Sequence, residues 1–367
     1  MGPWLLALVA ATSTATSAPR IDLVTIGVGD AMYAIYGHAA IRVVESDGKD
    51  TAYNFGGVDM QQPNFWTRLM QGQIEAYLEV TPYSQLLLNY SGEDRTIVGR
   101  TLAFTPEEAQ RLHARLQQIA NSAEKNYRYH HFYNNCTTKV AELFDEVKGG
   151  ALRRQAQIPV AGTHRDWVLD RIRNKPWVFL AMDLAGNGQG DVPITAWDTI
   201  YIPEALDQII DRANFDGRPF VLRGYVDYTS LSHDPRTEHG WPWILVYVFV
   251  VLPLVLLAWF FPRLGRGLYG VLAGTIGLVY VGFWLFSDYE FYHRNWNLAL
   301  FPPTHFLLLL RDGRVLRAHL YGHAALVALV AMGVGTGLIV QALGPMLGVA
   351  IPVTAAILLG HAKGERR

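Results

Sequence analysis

The last third of the sequence constrains the fold most, because it contains apolar stretches long enough to cross a membrane. A hydrocarbon core about 30 Å thick requires roughly 20 apolar residues in a helix. Five apolar stretches follow Trp241, and the third is only about 14 residues long and contains Pro302 and Pro303, so it is predicted to be broken or re-entrant. The sequence therefore predicts a transmembrane domain of about five helices over residues 241–367. The five stretches are residues 243–261, 268–286, 297–310, 319–340 and 343–359.

Basic residues mark one side of the predicted membrane domain. Arg263 and Arg266 follow the first stretch, "RDGRVLR" follows the third and the chain closes with "HAKGERR", whereas acidic "SDYE" follows the second. Cytoplasmic loops carry an excess of Lys and Arg. The pattern predicts a cytoplasmic C-terminus and, with an odd number of spans, an extracytoplasmic location for the residues before Trp241.

The N-terminus has the arrangement of a targeting segment. "MGPWLLALVAATSTATSAPR" contains a short apolar core followed by small residues up to Ala18. This predicts a secretory signal peptide over residues 1–18, or an uncleaved N-terminal anchor. Either would send residues 19–240 across the membrane.

Residues 19–240 alternate strand and helix signals and are predicted to form a domain of mixed α and β structure. The apolar run 21–26 before Gly27 predicts a strand, and "HAAIRVVE" and "TAYNFGG" flank "SDGKD" as the two strands of a hairpin. "FTPEEAQRLHARLQQIA" predicts a helix that begins after Thr105 as N-cap, with Glu108 completing a capping box.

The only cysteine, Cys136, lies in "FYNNCTTKVAELFDEV". One cysteine cannot form an internal disulfide or, by itself, a thiolate metal site. Asn135 is a strong N-cap, and Val140, Leu143 and Phe144 have helical spacing, so Cys136 is predicted in the first turn of a helix, on its inward face. There the helix dipole and unpaired N–H groups favour the thiolate. Cys136 is therefore either a buried structural thiol or a nucleophile.

A nucleophilic cysteine needs a base, and the 12 histidines of the chain do not single one out. His130 and His131 precede Cys136 closely, but neighbours in sequence need not face each other. His38 opens the first strand of the predicted hairpin, which can pack against the cysteine helix.

The order of these pieces resembles that of circularly permuted papain-like folds of the NlpC type, in which a histidine strand precedes an "NC" helix. "YGHAAIRV", "YNFGG", "YHHFYNNCTTKVAELFD" and the later "NWNLALFPP" resemble the Lnb N-terminal periplasmic domain family, whose members join such a domain to a membrane bundle. The resemblance covers nearly the whole chain. It implies an α+β permuted papain-like (NlpC-type) extracytoplasmic domain, followed by an α-helical transmembrane bundle.

The same resemblance implies lipoprotein N-acylation at a bacterial inner membrane, with the catalytic domain in the periplasm. A phospholipid would be the acyl donor and a diacylglyceryl-modified lipoprotein the acceptor. Cys136 would be the nucleophile and His38 the base, with no metal and no cofactor. A nucleic-acid partner is not expected, since the formal net charge is −1 and the sequence has no basic stripe.

A third polar group should orient the imidazole, as Asn or Asp does in papain-type sites. Asn54 is the preferred candidate, and Tyr53 and Asn135 are further supporting candidates. Arg42 is predicted either to bind a lipid phosphate or to lie on a solvated face. Candidate residues for substrate contact are Arg42, Tyr36 and His131.

Two other functions stay open at this point. A cell-wall peptidase or amidase of the NlpC type would use the same cysteine and histidine but would need only one anchoring span. A non-enzymatic membrane assembly module would need neither residue.

Overall fold

The computed structural model describes residues 18–232, 242–311 and 313–365, so the predicted signal segment up to residue 17 lies outside it. The strands of the described part are β1 (Arg20–Ile26), β2 (His38–Val44), β3 (Asp50–Gly57), β4 (Glu75–Pro82), β5 (Ile97–Leu102), β6 (Asn126–Arg128), β7 (Pro159–Thr163), β8 (Pro193–Thr195), β9 (Asn214–Phe215), β10 (Arg218–Pro219) and β11 (Val221–Tyr228). Seven of them form one antiparallel sheet in the order β11-β5-β1-β2-β3-β4-β6.

Helices pack on both faces of this sheet, so the N-terminal domain is of the α+β class. The helices of the domain are α1 (Phe65–Gln71), α2 (Tyr83–Gly92), α3 (Pro106–Ala120), α4 (Cys136–Val147), α5 (Ala151–Ala156), α6 (His164–Arg171), α7 (Pro176–Ala185) and α8 (Pro203–Arg212).

The local signals in the sequence are confirmed where they are strongest. β1 ends before Gly27, and β2 pairs with β3 as the predicted hairpin. At the start of α3 the Thr105 hydroxyl accepts a hydrogen bond from the Glu108 N–H at 3.2 Å, and a Glu108 carboxylate oxygen accepts one from the Thr105 N–H at 2.9 Å. Such a capping box satisfies two N–H groups that a helix end leaves without partners.

The main core lies between the sheet and helices α3 and α4. Strand alternation turns Ile41 and Phe55 toward this core, where they meet Val140 and Phe144 of α4 and Leu116 of α3. All five side chains are almost completely buried, and each such burial contributes about 1.5–3 kcal/mol. This core fixes the start of α4 relative to strands β2 and β3.

The C-terminal region contains four helices that are long and apolar enough to cross a membrane, among the described residues. The predicted loop 262–267 is in fact the first part of the second helix, because the chain turns sharply at Phe261 and Pro262 begins a new helix. The fourth predicted stretch begins and ends about one turn earlier than expected. The four helices are α9 (Trp243–Phe260), α10 (Pro262–Phe286), α12 (Arg314–Gly335) and α13 (Gly344–Glu365), with a short α11 (Asn297–Leu300) between α10 and α12.

The predicted short third stretch forms α11 and a 3₁₀ helix, Pro303–Leu309, and it runs antiparallel to α10. A Cβ atom at Gly277 would lie 2.3 Å from the Phe301 carbonyl oxygen, and one at Gly270 would lie 2.8 Å from the His305 carbonyl oxygen. These glycines therefore let the broken segment lie directly against α10. Non-helical backbone at membrane depth is tolerated where protein buries it in this way.

The two ends of the bundle are distinguished by their contacts. At the near end, which faces the N-terminal domain, Tyr247 of α9 donates to the Asp183 carboxylate and the Ser287 hydroxyl donates to the Met70 carbonyl oxygen at 3.0 Å. At the far end, Gly360 of α13 packs against Ala258 and Pro262. The end of α13 thus lies at the opposite end of the bundle from the N-terminal domain.

The joint between the two domains is polar. Arg165 donates to the carboxylates of Asp183 at 2.7 Å and Asp191 at 2.6 Å, and all three side chains are nearly buried. Asn295, from the "NWNLALFPP" segment, donates to the carbonyl oxygens of residues 184–186 at the end of α7. These bonds satisfy carbonyl groups that the C-terminus of α7 would otherwise leave unpaired.

Candidate active site

Cys136 is the first residue of α4, as the sequence predicts, and Asn135 is its N-cap. The Asn135 side-chain oxygen accepts hydrogen bonds from the N–H groups of Thr137 and Thr138, both at 2.9 Å. The Asn135 side-chain nitrogen donates to the carbonyl oxygens of His131 at 2.8 Å and Tyr201 at 3.0 Å. Asn135 therefore holds the start of the cysteine helix in place and supports Cys136 through the backbone.

His38 and Asn54 meet on the neighbouring strands β2 and β3. The Nε2 atom of His38 is hydrogen-bonded to the side-chain oxygen of Asn54, and the Asn54 side-chain nitrogen donates to a Glu79 carboxylate oxygen at 3.2 Å. The His38 ring and the Cys136 side chain meet beside Gly56, close enough that each shifts the pKa of the other. Because Nε2 is engaged by Asn54, the nitrogen left for Cys136 is Nδ1. The structure thus brings Cys136, His38 and Asn54 together in one chain of contacts.

Gly56 allows the cysteine helix to approach β3 closely. A Cβ atom at this position would lie 3.4 Å from the Cys136 Cβ, 3.7 Å from the His38 Cε1 and 3.9 Å from the Tyr127 hydroxyl oxygen. The φ angle of Gly56 is +94°, which disfavours any residue with a side chain. Glycine therefore leaves an atom-sized space beside Cys136.

Cys136 and His38 each shift the pKa of the other in the direction that favours its charged form. Burial by itself would raise the pKa of the Cys136 thiol, but the charge of His38 and hydrogen bonds from His38, the Thr137 hydroxyl and the Ala39 N–H lower that pKa to about 7. Burial would lower the pKa of His38, but the Cys136 thiolate and the bonds to Cys136 and Asn54 raise it above its ordinary value. The two shifts favour a thiolate and an imidazolium at neutral pH.

The two histidines that precede Cys136 in sequence have other surroundings. His130 accepts N–H groups of Phe132 and Tyr133 at 3.3 and 3.2 Å through Nδ1, and so shapes the loop before α4. His131 packs its ring against Tyr36, with ring centroids 4.8 Å apart. Burial lowers the pKa of His131 to about 4, so this imidazole is neutral at neutral pH.

The predicted substrate residues are distributed unequally. Tyr36 packs against His131, which lies on the loop that leads to Cys136. Arg42 does not reach this site, because its guanidinium donates to Asp50 at 2.6 and 2.9 Å and to the Tyr225 hydroxyl at 3.0 Å. The Arg42 side chain is therefore held by residues of the sheet and does not lie on a solvated face.

Tyr53, predicted as a supporting residue, lies away from the imidazole. Its ring is buried in the main core and packs edge-on against His113, with centroids 6.3 Å apart. Because side chains alternate along a strand, Tyr53 and Asn54 point to opposite faces of β3.

Several residues at the site were not predicted from the sequence. The Ala39 N–H faces the thiol, Glu79 holds Asn54, and the Tyr90 ring lies 5.5 Å from that of His38. Tyr127 places its buried hydroxyl beside Gly56. Only Gly56 had a local signal, the paired glycines of "YNFGG", since Glu79, Tyr90 and Tyr127 reach the site from other strands and from α2.

Comparison with known families is informative for both domains. Residues 9–168 match the family model described as the Lnb N-terminal periplasmic domain, and residues 267–362 match the one described as the Lnb transmembrane domain. The comparison with curated proteins and the comparison with solved structures gave no match.

Proposed function

The chain belongs to the Lnb family, and from that premise we propose that it is a membrane-bound lipoprotein N-acyltransferase. It moves an acyl chain from a phospholipid to Cys136, and then to the N-terminal cysteine amine of a diacylglyceryl-modified bacterial lipoprotein. The observation that carries the proposal is the meeting of the Cys136 and His38 side chains beside Gly56, at the start of a helix, with Asn54 hydrogen-bonded to the far nitrogen of the imidazole. Such a thiol is an activated nucleophile for acyl groups.

The arrangement of the domain supports a permuted papain-like fold. His38 on β2 and Asn54 on β3 precede the cysteine helix in the chain, and α4 packs on the strands that carry them. Papain-type sites combine the same three groups, a thiol, an imidazole and an orienting amide.

In the first half of the reaction the Cys136 thiolate attacks the carbonyl carbon of a glycerol ester. The C–S bond forms while the carbonyl π electrons move to oxygen. The tetrahedral intermediate then expels the glycerol oxygen, which takes the proton held by His38. A lysophospholipid leaves, and a thioester remains at Cys136 beside a neutral imidazole.

In the second half the lipoprotein amine attacks the thioester. The pKa of an α-amino group in a peptide is ordinarily about 8, so an appreciable fraction of the amine is neutral at neutral pH. His38 accepts the proton that the nitrogen loses as the C–N bond forms. The C–S bond breaks, the thiolate returns, and the product is an N-acyl lipoprotein.

Apolar side chains near the domain joint support delivery of lipid to the site. Trp66 and Met70 of α1 are 75% and 49% exposed, and α1 is bonded to the near end of the bundle through Ser287. Trp177 of α7 is 70% exposed, and α7 is bonded to α9. Aromatic and apolar residues at this level are typical of a membrane interface.

We expect the N-terminal domain in the periplasm and the C-terminus in the cytoplasm of a bacterial inner membrane. The basic residues near the far end of the bundle favour this orientation. A reporter that is active only in the cytoplasm, fused after Arg367, should be active. Activity of a periplasm-only reporter at the same position, with silence of the first, would contradict the orientation.

Intact-mass measurement tests the reaction. Purified full-length protein is incubated with phospholipid vesicles whose acyl chains carry an isotope label, without an amine acceptor. We expect a mass increase of one labelled acyl group that neutral hydroxylamine removes and that Cys136→Ala lacks. A diacylglyceryl-cysteine peptide should then discharge the label as an N-acyl product, with one lysophospholipid released per turnover.

The alternatives give different products. An unlabelled N-acyl product with loss of one O-acyl group from the peptide would mean that the acceptor's own glyceryl ester is the donor. Cleavage of muropeptides without an acyl adduct would indicate a peptidase. Full cellular function of Cys136→Ala would indicate an assembly module.

A further inference from the structure

Tyr127 carries a buried hydroxyl that has no hydrogen-bond acceptor among the described residues. The residue lies on the edge strand β6, and its ring packs against Phe55 of the main core. Burial first, and then the nearby Cys136 charge, raise the pKa of this phenol, so it keeps its proton at neutral pH. Buried polar groups are nearly always hydrogen-bonded, so an unused donor beside a nucleophile needs an explanation.

The helix N-terminus supplies a second unused donor at the same place. Asn135 caps the N–H groups of Thr137 and Thr138, and the Lys139 N–H donates to the Asn135 carbonyl oxygen at 3.1 Å. The Cys136 N–H is bonded to none of the described residues. The cap therefore leaves free the one N–H group that belongs to the nucleophile itself.

The space beside Gly56 lies against the Cys136 side chain and near the Tyr127 hydroxyl. An atom at the position of a Gly56 Cβ would lie at van der Waals distance from the Cys136 Cβ and the His38 ring, and 3.9 Å from the Tyr127 hydroxyl oxygen. A closure of about 1 Å would bring an oxygen atom there within the 2.7–3.1 Å of a donor that stabilises an oxyanion. Catalytic hydrogen bonds are often longer before the substrate binds.

We propose that Tyr127 is a further catalytic residue, whose hydroxyl and the Cys136 N–H together bind the oxyanion formed when Cys136 is acylated. This rests on acyl transfer at Cys136, as proposed above. When the thiolate attacks, the C–S bond forms and the carbonyl oxygen gains the π electron pair. That oxygen accepts hydrogen bonds from Tyr127 and Cys136 until the ester oxygen leaves with the proton of His38. Tyr127 donates a hydrogen bond and keeps its proton throughout.

Two reactions of the Cys136 thiol distinguish a role of Tyr127 in binding the oxyanion from a role in stabilising the thiolate. Alkylation by iodoacetamide consumes the thiolate without forming an oxyanion. Acylation forms one, and loss of one oxyanion donor slows such reactions by roughly 100-fold to 1,000-fold. Tyr127→Phe should therefore slow acylation by roughly that factor while the rate of alkylation stays within about twofold of the wild type.

The experiment uses the full-length protein with two acyl donors, phospholipid vesicles and the soluble p-nitrophenyl butyrate. Acylation of Cys136 is followed by intact mass after rapid quench, and alkylation by the same method. Tyr269→Phe is the matched control, because it removes from the bundle another buried tyrosine hydroxyl, for which the described residues supply no hydrogen bond of ordinary length and angle. Thermal unfolding of each variant reports whether the fold is intact.

The outcomes separate the two proposals. Equal acylation of wild type and Tyr127→Phe by p-nitrophenyl butyrate would overturn the role of Tyr127, whatever the phospholipid arm gives. Equal losses in acylation and alkylation would also overturn it, since the phenol would then act on the thiolate. Wild-type acylation by the soluble ester but never by phospholipid would contradict the proposed function alone. Acylation by neither donor would contradict both proposals.

Discussion

Histidines pack against other side chains in both domains, and their ring nitrogens are used in different ways. In the N-terminal domain His38 is hydrogen-bonded to Asn54 through one ring nitrogen, and its ring lies beside the Cys136 thiol. In the bundle His305 lies 3.2 Å from a nitrogen of His319, yet its Nε2 atom and both ring nitrogens of His323 have no hydrogen-bond partner among the described residues.

The difference shows which histidines can hold a proton. An imidazolium is stable in a buried site only where an anion or a hydrogen-bond acceptor compensates for lost hydration. His38 has both, whereas the space around His305 and His323 is lined by Tyr269, Thr354 and aliphatic side chains and by no carboxylate. We therefore expect His38 to take part in chemistry and the bundle histidines to act as neutral packing groups.

The largest effect is expected from removal of either member of the reactive pair. Cys136→Ala should abolish acyl transfer, and His38→Ala should match it within about tenfold, because residues that act as one unit have non-additive effects. The measurement is the rate of N-acyl product formation by full-length protein. The matched variant His131→Ala should retain much more activity, since that imidazole is neutral and engaged in ring contacts. If His131→Ala is the inactive variant and His38→Ala is not, the base has been assigned wrongly.

A smaller loss of activity is expected from substitution of Asn54, which lies behind the His38 imidazole. Asn54→Ala removes the acceptor that orients His38, and loss of such an outer partner typically costs about 10-fold to 100-fold. The loss should appear in kcat rather than KM, because Asn54 acts through His38. Arg42→Gln serves as the control on the neighbouring strand, and its expected effect is on unfolding temperature. An unchanged kcat in Asn54→Ala would remove Asn54 from the site.

The pH dependence of thiol alkylation tests the charge coupling between the pair. The pKa of Cys136 is lowered to about 7, although burial alone would raise it, because His38 stabilises the thiolate. The thiolate is thus lost as pH falls through about 7, and reactivity should fall roughly tenfold per pH unit below that point. In His38→Ala the midpoint should move to higher pH. A midpoint that does not move would mean that His38 does not set the thiolate population.

The smallest effect on activity is expected in the bundle. His323→Leu replaces by an apolar side chain an imidazole that has no hydrogen-bond partner in the described part of the chain. It should remove the free-energy cost of unsatisfied buried polar atoms, about 1–3 kcal/mol. We expect a higher unfolding temperature in detergent and an acylation rate within about twofold of the wild type. A large loss of acyl transfer in this folded variant would contradict the contrast between the two histidine groups.

Much of the local structure was predictable because its causes are local. Thr105 and Asn135 cap the helices that follow them, and the apolar periodicity of each helix depends on residues three or four positions apart. The hairpin of β2 and β3 follows from two strand signals around a short polar loop. For the same reason the start of the reactive helix at Cys136 was predictable from the sequence.

The bundle shows where such local signals mislead. A basic run after an apolar stretch predicts a loop, but Pro262 begins α10 at once, and Arg266 donates to the carbonyl oxygens of Leu308 and Leu310. Those acceptors belong to the broken third stretch. The helical state of residues 262–267 thus depends on a partner segment that local periodicity does not reveal.

The sequence by itself determined where several strands and helices of the N-terminal domain begin, which third of the chain is apolar, and that one cysteine opens a helix. Only the tertiary structure decided which of the 12 histidines faces that cysteine, and it engaged Arg42 with Tyr225, 183 residues away. The physical reason is the range of the interactions. Caps and periodicity act within a few residues, whereas the pKa of Cys136 and the surroundings of the Tyr127 hydroxyl depend on contacts that exist only when β2, β3, β6 and α4 have packed together.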